Sequence, residues 1–111
     1  MTRLNTDPFQ AIADSNRREI LMLLSAKKMS INTLADNFDI SRPAVSKHIK
    51  VLYEAGFILI SDEGRERYCE LSPAGFDHIK EWIEFFEQFW NKKLQNLEKL
   101  LADRAKKKKP N

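Results

Sequence analysis

The sequence predicts a mainly α-helical fold that contains one small β-hairpin and ends in a long helix. Stretches with helical apolar spacing follow good N-cap residues at positions 7, 14, 30 and 41. Residues 58–71 form two short runs around a glycine, and apolar residues then recur every three or four positions as far as Leu101. At 111 residues the chain fits one domain with a single core.

Two helices are predicted at the start of the chain. Asp7 suits an N-cap and Pro8 a first helical position, so a short helix is expected to run from there through Ala13. A second helix is expected to begin at residues 14–16 and to continue into the strongly apolar stretch 20–24. Because that stretch is so apolar, the second helix should be central in the fold.

The second helix carries two expected end signals. Glu19 lies three residues after Asn16, a spacing typical of a capping box. At the other end, Lys27 and Lys28 favour interaction with the negative end of the helix dipole.

A third and a fourth helix follow with the spacing of a helix-turn-helix. Ser30 is expected to cap the third helix. Its inner face carries Leu34, Ala35 and Phe38. Asp39 and Ile40 then form a tight break, in which Asp39 is expected to adopt the left-handed conformation, before Ser41 caps the fourth helix.

The fourth helix separates apolar from cationic side chains. At 100° per residue, Val45, Ile49 and Leu52 fall within about 60° of one another and form a buried stripe. The opposite face carries Pro43, Lys47, Lys50 and Glu54. Gly56 is expected to end the helix as the residue after the C-cap. Such a capped helix is typical of insertion into DNA, and phosphates are natural ligands of its N-terminus; a cationic solvent face on a structural helix is the alternative.

A hairpin behind that helix is predicted to form a wing. Residues 58–61 and 67–71 read as strands, joined by a polar tip at 62–65. Arg65 and Arg67 are then expected to reach a neighbouring phosphate or the minor groove. Two neighbouring glutamates weaken this interpretation, and a solvated hairpin with local ion pairs is the alternative.

The last helix is predicted from a cap at residues 72–73 to about Leu101. Apolar residues spaced three or four apart form one stripe: Phe76, Ile79, Ile83, Phe86, Trp90, Leu94, Leu97 and Leu101. A second stripe carries Trp82, Phe85 and Phe89. This wide apolar face fits a core plus a dimer seam, and the wall of a small-molecule pocket is a further interpretation.

Composition limits the class of protein. The chain is 42% hydrophobic and 32% charged, and no apolar run approaches the ~18 residues of a membrane span. The N-terminus lacks an apolar signal region and there is one cysteine, so a reducing, cytoplasmic location without membrane contact is expected. The net charge of +3 is local: residues 1–102 carry −1, and 103–111 carry +4. We expect residues 1–102 to form one domain and 103–111 a disordered basic tail.

The order of elements and two strings, SRPAVSKHIKVLYEAGFI and GRERYCELSPAGF, resemble the ArsR-type (arsenic-repressor-like) winged helix-turn-helix family. The resemblance spans about residues 7–101, including DPFQAIADSNRREILMLL and the tryptophan-bearing last helix. It implies a homodimeric bacterial transcriptional repressor. In such a protein the first and last helices pair the subunits, and each fourth helix enters a major groove of a palindromic operator DNA.

The resemblance also implies site residues. On the fourth helix the expected DNA contacts are Ser41, Arg42, Ala44, Ser46, Lys47, His48 and Lys50, and on the wing they are Arg65 and Arg67. The expected dimer interface comprises Phe9, Ile12, Ile83, Phe86, Trp90, Leu94, Leu97 and Leu101. Long cations suit phosphates and guanine edges, and the small Ala44 and Ser46 permit close approach, so the chemistry of these residues agrees with the expected contacts.

The chain departs from the metal-sensing members of the family. Where some carry a cysteine pair, this sequence has Lys28–Thr33 without a thiolate. Where others place an Asp, two His and a further acid, the last helix has Asp77 and His78 followed only by glutamates. A firm transition-metal site needs three or four spaced ligands, so we expect no metal and no cofactor. The effector is left open.

Other functions are weighed against a DNA-binding repressor. A winged helix that binds a protein partner in place of DNA is the main alternative, and the cations at positions 42, 47 and 50 argue against it. An enzyme is the weakest interpretation, since no nucleophile and base, carboxylate pair or phosphate loop is visible. Cys69 is interpreted as a small buried residue, with a redox-sensing thiol as the alternative.

Overall fold

Eight elements of regular structure follow one another in the computed structural model, which describes residues 6–107. They are α1 (Pro8–Ala11), α2 (Ser15–Leu24), β1 (Met29–Ser30), α3 (Ile31–Ala35), α4 (Arg42–Glu54), β2 (Ile58–Glu63), β3 (Glu66–Leu71) and α5 (Pro73–Lys107). One unit of the chain ends at Ile79 and a second begins at Lys80. The predicted fold class, mainly helical with a hairpin and a long last helix, is confirmed.

Aspartate side chains cap the first two helices. Asp7 accepts a hydrogen bond from the backbone N–H of Phe9 at 3.0 Å, as expected, but α1 ends at Ala11 and does not reach Ala13. Asp14 caps α2 by accepting from the N–H groups of the second and third helical residues. Because Asp14 holds the N-cap position, the second residue of the helix is Asn16, and the expected capping box from Asn16 to Glu19 is wrong.

The C-terminus of α2 differs from the prediction. The helix ends at Leu24, so Lys27 and Lys28 lie beyond its last turn and do not interact with its dipole as expected. Lys28 instead donates to the Glu63 carboxylate at 3.0 Å, and this partner raises the pKa of the Lys28 ammonium. The lysine therefore ties the chain before α3 to the hairpin.

The turn between α3 and α4 is built without left-handed residues. Ser30 caps α3 as predicted, since its hydroxyl accepts from the N–H of Thr33 at 3.0 Å. Among residues 6–107 only glycines have positive φ, so the left-handed conformation expected for Asp39 is wrong. After α3, backbone bonds from Asn37 to Leu34 and from Phe38 to Ala35 tighten the turn in its place.

A three-stranded antiparallel sheet forms with the order β1–β3–β2. The hairpin is longer than predicted, because residues 62 and 63 belong to β2 and the loop contains only Gly64 and Arg65. Gly64 has φ 64°, which fits a two-residue turn with glycine at its first position. The short β1 had no sequence signal. It pairs Met29 with Cys69 and so covers the second edge of β3.

The core lies in the first unit, where every helix and strand contributes apolar side chains. Its largest fully buried members are Phe57, Ile20, Leu34, Ile49, Leu52, Ile58, Val45 and Cys69. Phe38 and Ile40 are partly buried against this cluster, as the helix-turn-helix prediction requires. The stripe of α4 is thus part of the main core.

The C-terminus of α4 is locked to the start of α5. Gly56, with φ 83°, follows the C-cap, and its N–H and that of Phe57 return to the carbonyls of Tyr53 and Leu52. These two bonds form the Schellman motif. The Gly56 carbonyl then accepts from the Gly75 N–H at 2.7 Å, which places the first turn of α5 against Phe57.

The last helix extends beyond its predicted end at Leu101. It is helical from Pro73 to Lys107, so residues 103–107 of the expected disordered tail belong to it. Residues 108–111, which complete that expected tail, lie outside the described residues.

We predict that Gly75→Ala destabilises the protein by about 1–3 kcal/mol, because the new methyl would lie 2.8 Å from the Phe57 ring and 2.9 Å from the Ala55 carbonyl oxygen. Chemical denaturation monitored by circular dichroism measures this loss. Asn91→Ala is the control, since that side chain is exposed on the same helix and its removal creates no clash. A Gly75→Ala loss no larger than that of the control would contradict the packing described.

Candidate nucleic-acid interface

The N-terminus of α4 is held by a side-chain cap. The Ser41 hydroxyl accepts from the Ala44 N–H at 3.2 Å, and proline occupies the second helical position, where no N–H is needed. The first turn contains no acidic residue. The helix start thus keeps its partial positive charge at the surface, as predicted.

Burial of α4 follows the predicted stripe. Val45, Ile49 and Leu52 are 0–1% exposed. The predicted contact residues on the outward side are exposed: Ser41, Arg42, Ser46, Lys47 and Lys50. Ala44 and His48 are half-buried on the flanks. One helix therefore anchors itself in the core and presents a polar, cationic surface.

The three cations of that surface are available to a ligand. In residues 6–107 the side chains of Arg42, Lys47 and Lys50 make no hydrogen bond or ion pair with the protein. Glu54, the acid of the same helix, is half-buried near its C-terminus and bonds Thr6 at 3.4 Å. No acid in this part of the protein forms an ion pair with these cations that a phosphate would have to displace.

The flank of α4 is contacted by an arginine that sequence reasoning missed. Arg17 of α2 places its guanidinium Nη1 3.2 Å from Nδ1 of His48. The same guanidinium donates from Nε to the Ala11 carbonyl at 2.6 Å and from Nη2 to the Gln10 carbonyl at 3.2 Å. The two partners on α1 and α4 lie far apart in sequence, and no local pattern signals such a bridge.

Asp14 adds a negative charge beside this arginine. Desolvation of its carboxyl raises the pKa, but hydrogen bonds from the N–H groups of Arg17 and Asn16 and the charge of Arg17 lower it, and the pKa lies below its usual value overall. The carboxylate therefore stays ionised while it caps α2.

The wing carries fewer available cations than α4. Arg67 donates to Asp62 at 3.2 Å, directly across the hairpin, and both side chains are mostly exposed, so the pair contributes at most about 1 kcal/mol. Arg65 lies at the tip, exposed, and has no bonded partner within the described part of the chain. A phosphate would have to compete with Asp62 for Arg67, but not for Arg65.

The predicted dimer residues lie in two places. On α5, Ile83, Phe86, Trp90, Leu94, Leu97 and Leu101 are 37–58% exposed and face one side of the helix. On the first unit, Phe9 is 39% exposed, whereas Ile12 is partly buried against the core. The side of α5 next to this stripe also exposes Trp82, Phe85, Phe89 and Leu100.

We also searched the described residues for a metal site, a membrane-spanning helix and a reactive cysteine. Between Thr6 and Lys107 no three His, Cys, Asp or Glu side chains group as metal ligands. No described helix combines the length and apolarity that membrane crossing needs. Cys69 is fully buried on β3, opposite Ile60 and Met29, which agrees with its interpretation as a small buried residue.

The comparisons with known proteins agree on one class of protein, bacterial transcriptional regulators. Residues 14–58 match the family described as "Bacterial regulatory protein, arsR family". The HTH-type transcriptional regulator Rv2034 of Mycobacterium tuberculosis is 32% identical over 84% of each chain, and the transcriptional repressor SdpR of Bacillus subtilis is 33% identical over 68% of this chain and 83% of its own. A solved ArsR family transcriptional regulator superposes with a TM-score of 0.71 at 33% identity, covering 77% of this chain and 88% of that one.

We predict that the Cys69 thiol resists modification in the folded protein, because burial raises its pKa from the usual 9.0 to about 11. At pH 8 its reaction with a disulfide reagent should be slower than in guanidinium by at least about 100-fold. Since the unfolded thiol ionises first, stability should also fall as pH rises from about 9 towards 11. Equal rates in the folded and unfolded chains would show that Cys69 is accessible and reactive.

Proposed function

Because the chain belongs to the ArsR family of bacterial transcriptional regulators, we propose that it is a homodimeric repressor whose paired α4 helices bind an inverted-repeat operator. Membership makes the chain a transcriptional regulator and not an enzyme. The relative SdpR is named a transcriptional repressor, which supports repression as the outcome of binding.

One observation supports the assignment of α4 as the DNA-binding surface. The face of α4 opposite its buried stripe exposes Lys47 and Lys50, and the first turn exposes Arg42; none of the three has a partner in residues 6–107. Three unpaired cations on the exposed surface of one helix, together with its capped N-terminus, suit the binding of DNA phosphates. The alternative, a winged helix that binds a protein partner in place of DNA, does not require this unpaired charge.

Within this surface we assign different roles. Arg42, Lys47 and Lys50 hold phosphates or guanine edges, while Ala44 and Ser46 allow the helix to approach the floor of the major groove. Arg65 reaches the backbone or minor groove from the wing tip, and Arg67 does so by exchanging Asp62 for a phosphate. The wing therefore contributes less than α4.

The proposed dimerisation is supported by the exposed apolar surface of α5. Six large side chains of one α5 stripe keep 37–58% of their surface exposed, and an apolar patch of this extent marks a protein interface. Their spacing of three and four suits pairing with a second helix. A twofold dimer presents two α4 helices about 34 Å apart or a small multiple of that, which requires an inverted repeat.

We predict that Lys47→Ala and Arg42→Ala each weaken binding to the DNA upstream of the gene by about tenfold and reduce the number of counterions released on binding by about one. Lys27→Ala is the matched control, because that exposed lysine lies off α4 and its removal changes net charge equally. Fluorescence anisotropy at several salt concentrations measures both the affinity and its salt dependence. If the α4 variants and the control have the same affinity and the same dependence of affinity on salt, the assigned surface is wrong.

We predict that Leu94→Glu converts the dimer to a monomer, because a carboxylate would be buried in the proposed seam without a partner. Multi-angle light scattering should show the mass fall from twice that of the chain to that of one chain. Gln95→Glu adds the same charge on a side of α5 that points away from this stripe and should leave the dimer intact. A Leu94→Glu protein that remains dimeric would place the seam elsewhere.

A further inference from the structure

The guanidinium of Arg17 joins three elements of the first unit. From α2 it donates to two carbonyls at the end of α1, those of Gln10 and Ala11, and its third contact is Nδ1 of His48 on α4. Both Arg17 and His48 are half-buried, so water weakens this contact less than it would at an exposed site. The arginine is thus fixed by α1 when it meets the imidazole.

This contact determines which nitrogen of His48 carries the proton. A guanidinium can only donate hydrogen bonds, so Nδ1 of His48 must accept at the observed 3.2 Å. A neutral imidazole with Nδ1 as acceptor carries its proton on Nε2. The doubly protonated ring would place two donors face to face and lose the bond. Arg17 therefore favours a single form of His48, with Nε2–H as its donor.

The free nitrogen of His48 reaches solvent. Within residues 6–107 no buried side-chain nitrogen or oxygen lacks a hydrogen-bond partner. Nε2 of His48 bonds no group in that same part of the chain, so it cannot be buried. At 100° per residue, His48 lies one turn after Ala44 on the flank of the exposed face. Its donor thus has contact with solvent on that flank of α4.

We propose that Arg17 is a positioning residue of the DNA-binding surface, which holds His48 as the Nε2–H form and so presents a fixed hydrogen-bond donor to an acceptor atom of the DNA. This inference rests on the proposed function, and it adds a residue of α2 that touches no DNA. Acceptor atoms occur on purine N7 and guanine O6 in the major groove and on phosphate oxygens. A fixed donor loses less entropy on binding than a ring that exchanges between two forms.

Arg18 provides a matched control for this role. Its Nη1 donates to the Ile12 carbonyl at 2.8 Å, so it also ties α2 to the end of α1, but within residues 6–107 it makes no hydrogen bond with His48. Arg17→Met and Arg18→Met each remove one positive charge and at least one carbonyl contact. Only Arg17→Met releases the imidazole.

The first test uses the free protein and needs no DNA. Long-range ¹H–¹⁵N spectra at alkaline pH report which ring nitrogen is protonated, and His78→Gln assigns the signals because the chain has two histidines. We expect His48 to show protonated Nε2 and bare Nδ1 in the unaltered chain and in Arg18→Met, and a mixture of both forms in Arg17→Met. A protonated Nδ1 in the unaltered chain, or no change in Arg17→Met, would overturn the inference.

The second test measures affinity for the operator. His48→Phe and Arg17→Met should each weaken binding by about fivefold, and the double variant should be no weaker than either, because Arg17 acts through His48. Losses that multiply would contradict this. Three scans of the operator each remove one kind of acceptor: 7-deazapurines remove N7, 2-aminopurine in place of guanine removes O6, and methylphosphonates remove a charged phosphate oxygen. One position in one scan should weaken binding by the unaltered chain but not by His48→Phe. No such position would exclude the contact.

The outcomes separate the two claims. If the unaltered chain binds no duplex, the proposed function fails, while the ring spectra still decide whether Arg17 holds His48. If it binds the operator and the spectra show no effect of Arg17→Met, only the role of Arg17 fails.

Discussion

Burial of one face of α4 determines what the other face presents. Val45, Ile49 and Leu52 are fully enclosed by the core, so the helix cannot rotate about its axis without exposing them at a cost of several kcal/mol. With the rotation fixed, Lys47 and Lys50 must point away from the protein, while Arg42 is exposed as the first residue of the helix. The sequence period of α4 is thus the direct cause of a cationic surface, and the rest of the fold maintains the position of this helix.

Three further contacts hold α4 along its length. Ser41 fixes its start, the Schellman bonds at Gly56 fix its end, and Arg17 fixes its flank. The end is continuous with α5, because the Gly56 carbonyl binds the first turn of that helix. The helix that we propose to enter DNA is therefore held by the cap of its own N-terminus, by α2 and by the start of α5, and each contact restricts a different movement.

Local sequence chemistry predicted much of this arrangement. The caps at Asp7, Ser30 and Ser41, the stripe of α4 and the glycine after it depend on neighbours within four residues, and the structure confirms them. Features that depend on distant partners had no local signal, such as β1 on the edge of β3 and Arg17 beside His48. The wrong predictions for Glu19, Lys28 and Asp39 have one cause. Each rested on the neighbouring sequence alone, and in the structure a different contact or a different backbone conformation occurs at that position.

The central claim is that the outward face of α4 lies against DNA. A photoreactive amino acid in place of Ser46 tests it directly, because that exposed small residue lies between the cations of the surface. The same group in place of Ser25, exposed beyond the end of α2, serves as the comparison. We expect irradiation with the operator duplex to link DNA to position 46 and not to position 25. Cross-linking at position 25 alone, or at both positions equally, would contradict it.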